Sequence, residues 1–447
     1  MFYLKLLSII ASLFVVYPIR KFIKKDEINI FDLIILFHTI FFCFVPAFSN
    51  NSAYQWLKGF SFEDVIIFRI FIYYTVSISL ISIADIFWTK YFKYKRNILN
   101  ITFYLRTLPQ IEVSWCFIGL LIINLLISWL WYLPQASYME TFSELSKSQG
   151  YVKSPLSLLY GTIFTFCFSF SQIIFLKENL LNKKKNIFLF IVIGFGLSLL
   201  FLPRRLMLFY IILSVLIVYS IKRVFFTPKR ITYIIVLLFL IIKIYFPFYN
   251  VMRNTTVKID SSNFTTSLIY IIKDAYGNFG SKKDNATKDS EGRSLNLYYS
   301  LYRIIKYDKS PSNGGLFIAA IDHALPKFIN PNKGLGTEKI LEKKMQCNTD
   351  QADSILLLAY GDYGLILGSF YSLLLFLLIF FVYILLHKCS ILFNKNSTIG
   401  MLLIVYLISI SWNVEAKLDA HFASIVHLVV MSIILALLSR LNVIRNS

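Results

Sequence analysis

The chain has 447 residues, 57% of them hydrophobic and 15% charged, with a mean hydropathy of +0.66. A soluble domain carries a smaller apolar share, so a water-soluble enzyme is excluded. The apolar residues fall in blocks of about 16 to 24, the spacing a bilayer sets. The formal net charge of +21 comes mainly from short Lys and Arg clusters between these blocks rather than from an amphipathic recognition element, and nucleic acid is not an expected partner.

In chain order the predicted spans are roughly 2–18, 29–48, 64–88, 112–133, 155–176, 187–202, 206–221, 231–249, 364–386, 398–412 and 423–439, each a predominantly apolar run. The first contains Lys5 and is followed by no small-residue cleavage site, so it reads as a retained span rather than a signal peptide. Basic clusters follow the first span (Arg20, Lys21, Lys24, Lys25), the third (Lys90, Lys93, Lys95, Arg96), the fifth (Lys183, Lys184, Lys185), the seventh (Lys222, Arg223, Lys229, Arg230) and the ninth (His387, Lys388, Lys395). Every second loop is basic. The positive-inside rule puts these loops and the C-terminal Arg440 and Arg445 in the cytoplasm, the N-terminus outside, and the span count at about eleven.

The expected fold class is therefore an all-α polytopic membrane protein. Spans one to eight occupy residues 1–249, a large extracytoplasmic loop occupies 250–363, and the last three spans occupy 364–447. Long loops translocate largely regardless of charge, so the loop's cations do not contradict the topology. Inside it, 264–277 and 294–307 have helix-like apolar spacing and should pack on the membrane surface as a cap, with a polar turn between them. Loops longer than about 15 residues are more often functional than connective, which directs attention here. Asp85 and Lys243 lie near span ends and are expected to snorkel. The five cysteines, Cys43, Cys116, Cys167, Cys347 and Cys389, are scattered and indicate neither a disulfide framework nor a metal site. No metal or cofactor is expected.

Three groups of residues stand out. In FLPRRLMLFY (201–210), Pro203, Arg204 and Arg205 form the whole connection between two apolar blocks at the outer face. Two guanidiniums on a short turn present planar forks of N–H donors that match phosphate or pyrophosphate oxygens; the plainer reading has both snorkel to lipid phosphates. A second group is Arg253, Arg293 and Arg303, with Tyr298, Tyr299 and Tyr302 beside them. With Arg204 and Arg205 these arginines could line one positive pocket, and the tyrosines could offer sugar-stacking faces or simply mark an interface. The third is TDQADSILLLAYGDYGLILGS (349–369), carrying Asp350, Asp353 and Asp362, where Gly361 and Gly364 make a helix break plausible. A carboxylate at the edge of hydrocarbon needs a hydrogen bond or a counter-charge, so anchoring the loop is as good a reading as catalysis. Asp322, His323, Glu415, Asp419 and His421 are further acid or base candidates.

With the PRR turn, the long late loop, GGLFIAAIDHALPKFINP and DQADSILLLAYGDYGLILGS in place, nearly the whole chain resembles the O-antigen and oligosaccharide repeat-unit polymerases, the Wzy-type membrane glycosyltransferases. The resemblance implies a GT-C-like layout and a multi-pass enzyme of the bacterial inner membrane. Such an enzyme transfers a glycan from undecaprenyl pyrophosphate onto a new lipid-linked repeat unit, without nucleotide sugar or obligatory metal. Its partners would be that lipid-linked oligosaccharide, membrane lipid and a chain-length regulator. In these terms Arg204, Arg205, Arg253, Arg293, Arg303, Tyr298 and Tyr299 are the substrate-binding candidates. Asp353, Asp362 and His323 are the catalytic ones, with Asp353 or Asp362 orienting or deprotonating the acceptor. An O-antigen ligase and a lipid-linked oligosaccharide flippase are the rival readings; the ligases' His-bearing loop motif has no clear counterpart here.

Overall fold

The computed structural model describes residues 2–48, 63–91, 101–102, 105, 115–127, 130, 155–180, 189–194, 204–222, 269, 273, 297–307, 310–325, 330, 334–346, 354–393, 397–414, 417–426, 428–429 and 433. Among them the chain is helical, without strands. The helices are α1 (Phe2–Lys24), α2 (Ile30–Phe44), α3 (Asp64–Tyr91), α4 (Trp115–Ile127), α5 (Pro155–Leu180) and α6 (Arg204–Lys222), then α7 (297–307), α8 (Gly315–Ala324), α9 (Thr337–Met345), α10 (Ile355–Phe393), α11 (Ser397–Trp412) and α12 (418–426).

Three stretches, Phe2–Lys24, Asp64–Trp88 and Ile355–Leu385, are long and apolar enough to cross a membrane. At 1.5 Å per residue even the shortest of them exceeds a hydrocarbon core of about 30 Å. Ile30–Phe44, Phe166–Lys177, Phe209–Ile221 and Gly315–Ala324 are shorter apolar helices. These helices mark a membrane protein.

Local chemistry sets several of the ends. At α2, the Asn29 side chain accepts from the Asp32 amide at 2.9 Å while Asp32 Oδ2 accepts from the Asn29 amide at 2.9 Å, so two orphan donors are satisfied reciprocally. A π-helical stretch at Ile40–Phe44 ends the same helix and leads directly into one further α-helical turn, Val45–Phe48. α1 ends where Lys25 turns left-handed at φ 60°, and α9 ends the same way at Gln346, φ 52°.

The chain divides into two compact units. Unit 1 comprises Met1–Tyr104 and Lys288–Ser432. In it α3 packs along α10, α2 along α11, and α1 against α3 and the end of α2. Tyr73 of α3 donates its hydroxyl to the Leu356 carbonyl at 2.7 Å and sets its ring edge-on to Tyr360. Phe31 of α2 meets Phe380 of α10 edge-on, with centroids 5.4 Å apart. Unit 2 comprises Leu105–Thr287 and Ile433–Ser447. There α5 packs between α4 and α6, and Gln172 Nε2 reaches from α5 to the Tyr210 carbonyl at 2.8 Å and to Ser214 Oγ. Gly194 lies so close to α4 that a Cβ there would meet Leu125 at 2.8 Å.

Two segments of unit 1 gain partners that their local sequence does not show. The described part of the 294–307 segment, α7, packs onto the protein itself: Leu297, Leu301, Tyr302 and Ile304 are buried. The Glu63 amide donates to Tyr302 Oη at 2.8 Å and Lys306 Nζ donates to Glu63 Oε1 at 2.6 Å, which docks α7 on the start of α3. Asp85 does not snorkel. It is 1% exposed, inside an ionic junction described below.

Candidate functional site

The 355–393 helix is interrupted at Gly364, whose φ of 74° and ψ of −156° suit glycine alone among the residues. The break divides α10 into a buried first limb, 355–363, and a long second limb, 365–393. The two limbs fold so closely that a Cβ on Gly368 would sit 2.7 Å from the Ala359 carbonyl oxygen. Any helix end leaves backbone groups without intrahelical partners. Here the first limb's orphan carbonyls at Gly361 and Asp362 accept from the amides of Ser312 (3.1 Å) and Asn313 (2.9 Å). The turn that supplies them has Asn313 and Gly314 left-handed, at φ 49° and 87°.

The debt is returned by the side chain. Asp362, fully buried, accepts from the Leu316 amide at 2.9 Å through Oδ1 and from the Phe317 amide at 3.2 Å through Oδ2. These are the first free donors of α8, so a carboxylate on one helix caps the N-terminus of another. Gly361 lets α8 approach, since a Cβ there would meet Leu316 Cδ1 at 2.8 Å. Aromatic rings close the surroundings: Tyr363 meets Tyr371 with centroids 4.6 Å apart, and Phe317 touches both Tyr371 (6.5 Å) and Phe422 of α12 (5.9 Å). Asp362 is thus positioned on backbone amides, with α8 held over the break.

α8 carries Asp322 and His323 at its far end. Asp322 Oδ1 accepts from Asn330 Nδ2 at 3.1 Å. The exposed His323 ring lies over Gly336, the residue before α9, where a Cβ would be 3.5 Å from it. Lys417 pairs with Glu338 and ties α9 to the residue preceding α12. On α12, Asp419 Oδ1 accepts from the Ala420 amide at 2.8 Å, and His421 is 4% exposed.

Arg303 sits on α7, where three of its donors are in use. Nε donates to the Met345 carbonyl at 2.9 Å, one terminal nitrogen to the Gln346 carbonyl at 3.0 Å and the other to Tyr299 Oη at 2.9 Å. The guanidinium therefore caps the C-terminus of α9, in the place where a cation is favoured by the dipole. It also stacks near Tyr299 and Tyr307. Tyr299 is buried beneath it, and Tyr298 is buried against α1, α2 and α3 in a small cavity lined by Ser8, Cys43, Ile67 and Tyr74. Both tyrosines are thus taken up in packing within the protein.

The sequence reading missed the ionic junction at the other end of these helices. Lys21 Nζ donates to Asp32 Oδ1 and Oδ2 at 2.8 and 3.0 Å and lies 3.3 Å from Asp85 Oδ2. Asn29 Nδ2 donates to Asp85 Oδ1. Asp32 is fully buried and Asp85 nearly so, while Lys21 reaches the edge. One ammonium and one amide thereby join α1, α2 and α3. The sequence signal was a carboxylate inside each of two apolar runs, Asp32 in 29–48 and Asp85 in 64–88, with Lys21 just past the first run.

The remaining candidates are placed as follows. Arg204 and Arg205 are the first two residues of α6. Pro203, Asp350, Asp353, Arg253, Arg293, Lys243 and Glu415 lie outside the described residues. Among the described residues no group of three or more His, Cys, Asp and Glu is placed to hold a metal ion. Comparison of the chain with protein-family models, with curated proteins and with solved structures returns no match.

Proposed function

We propose that this chain is a polysaccharide repeat-unit polymerase: a membrane glycosyltransferase that joins undecaprenyl-pyrophosphate-linked oligosaccharides into an O-antigen or capsule polymer. In this reading it crosses the bacterial inner membrane about eleven times, with its N-terminus and the 250–363 loop on the outer face. The reading rests on the alternation of basic loops and on the resemblance carried by the PRR turn and the late loop. A single observation carries the chemistry, the pair Arg204 and Arg205 in the first turn of the apolar helix α6. Two adjacent arginines offer planar forks of N–H donors that suit a pyrophosphate, whose departure from the anomeric carbon needs charge stabilisation.

The acceptor hydroxyl needs a group within hydrogen-bond reach that orients it or takes its proton. Asp362 is the weaker candidate, because both of its oxygens already accept backbone amides. The role therefore falls to Asp353 or to the exposed His323. Arg303, committed to the end of α9, is left out of the pyrophosphate assignment.

The test is in-vitro polymerisation of a purified lipid-linked repeat unit by the purified protein. Arg204→Lys and Arg205→Lys each keep the charge but lose the fork, and each is expected to shorten or abolish the polymer. Full-length polymer from both variants would sink the bidentate role. In cells, loss of a polymerase leaves lipid capped with one repeat unit, loss of a ligase leaves none capped, and loss of a flippase traps units on the inner face. The buried charges of the Lys21 junction do not favour the flippase, since they lie at helix ends and a transporter's sites lie near the midplane.

A further inference from the structure

α8, GLFIAAIDHA, is apolar as far as Ile321 and carries Asp322 and His323 in its last turn, and one face of it is packed: Leu316 and Ala320 are fully buried. Its other face is not. Ile318 is 64% exposed and Ile321, one turn on, 38%. Leu335, just before α9, is 51% exposed. Scattered single apolar residues on a surface need no explanation, but a helical face of them does.

What covers that face is indicated by its neighbour. The second limb of α10 exposes Leu367, Phe370, Leu374, Phe381 and Leu385, a single stripe at helical spacing on a helix long and apolar enough to cross a membrane. α8 is not stacked beyond the end of that limb. Phe317 meets Tyr371, seven residues past the break at Gly364, so α8 starts alongside the limb, at the level where its exposed apolar stripe has already begun. The polar side of the pair is supplied by α9, whose Lys339 and Lys343 are exposed. An apolar helix flanked by a lysine-bearing one, at the end of a spanning helix, has the division of faces found in helices that lie in a membrane interface.

We infer that α8 is an interfacial helix, seated in the lipid leaflet beside α10 with Ile318 and Ile321 among the acyl chains and the α9 lysines at headgroup level. The partner of this surface is the bilayer itself, and the inference holds whatever reaction the protein performs. It reassigns a stretch that reads in sequence as part of an aqueous loop.

The full-length protein in nanodiscs of phosphatidylethanolamine and phosphatidylglycerol gives the test. Single cysteines at Ile318, Ile321, Phe370 and Lys343, in a background with the five native cysteines replaced by alanine, are labelled with bimane. Ile318→Cys and Ile321→Cys are expected to be quenched by doxyl-lipid as Phe370→Cys is, about threefold more than Lys343→Cys, and to resist aqueous iodide. Iodide quenching at both positions equal to that at Lys343→Cys would overturn the inference. Hydroxyl-radical footprinting of the unaltered protein in the same discs covers the case in which the cysteine-free background fails to fold. Protection of Ile318 and Ile321 equal to that of Leu374 supports the leaflet position, and oxidation of both at the level of an aqueous loop refutes it.

Discussion

Two buried carboxylate settings in unit 1 contrast in how they are satisfied. Asp32 and Asp85 lean on one ammonium, Lys21, contributed by a third helix. Asp362 leans on two backbone amides of α8. The first arrangement joins three helices through a charge that can be deleted in one substitution. The second fixes a short helix over a break and depends on backbone amides that only a proline substitution removes. An ionic clamp therefore controls whether helices stay together, whereas an amide-bound carboxylate controls where one helix points.

The contrast breaks most sharply at Lys21. Lys21→Met takes the ammonium from two buried carboxylates, and removing one partner of a buried pair costs about 3–5 kcal/mol. Thermal unfolding of the purified protein in detergent should show it; a Tm drop below about 2 °C would mean that the junction is not what holds α1, α2 and α3. Asp362→Asn is the matching change at the other setting. The amide oxygen can serve one α8 donor, but its NH2 then faces the other, and a hydrogen bond to a charged group is worth about 1.5–3 kcal/mol. Gly364→Ala should cost about 1–3 kcal/mol through its backbone conformation. If Asp362 acts only by holding α8, both variants should loosen proteolytic protection of 310–325 together; loss of activity in Asp362→Asn with protection intact would return it to the catalytic candidates.

The smallest effect belongs to Lys306 and Glu63, a surface pair that staples α7 to α3. The hydrogen bond to Glu63 holds the Lys306 ammonium above its ordinary value. A raised folded value means the contribution is complete below the ordinary lysine range and is lost as pH rises through the raised one. Stability of the Lys306→Met variant relative to the parent should thus be flat from roughly pH 6 to 8. Any difference should shrink with salt, as expected of an exposed pair.

How much of this was legible depends on the range of the interactions. The break in α10 was, because its signal is local: the 364–386 expectation starts at the very residue where α10 breaks, and Gly361 and Gly364 mark that break. Side-chain environments were not, because their partners are far along the chain. Asp85 looked like a charge near a span end, and only the fold brings Asn29 and Lys21 to it. Arg303 looked like a free cation until the end of α9 was placed against it. Asp362 was open to two readings in sequence, anchor or catalyst, since nothing local indicates that its oxygens face the amides of residues 316 and 317.

The docking of α7 on α3 bears on how the protein is made. The Glu63 amide and the Tyr302 hydroxyl are separated by 239 positions, and all of Leu105–Thr287, most of unit 2, is translated between them. At roughly 5–20 residues per second, the start of α3 waits about 10 to 50 s on the ribosome before its partner exists. During that interval the apolar pocket that Tyr298 will close stands open to whatever lipid or insertion factor is at hand. Unit 1 is thus a structure begun early and finished late. A truncation anywhere before α7 should leave its first three helices inserted but short of the segment that closes them.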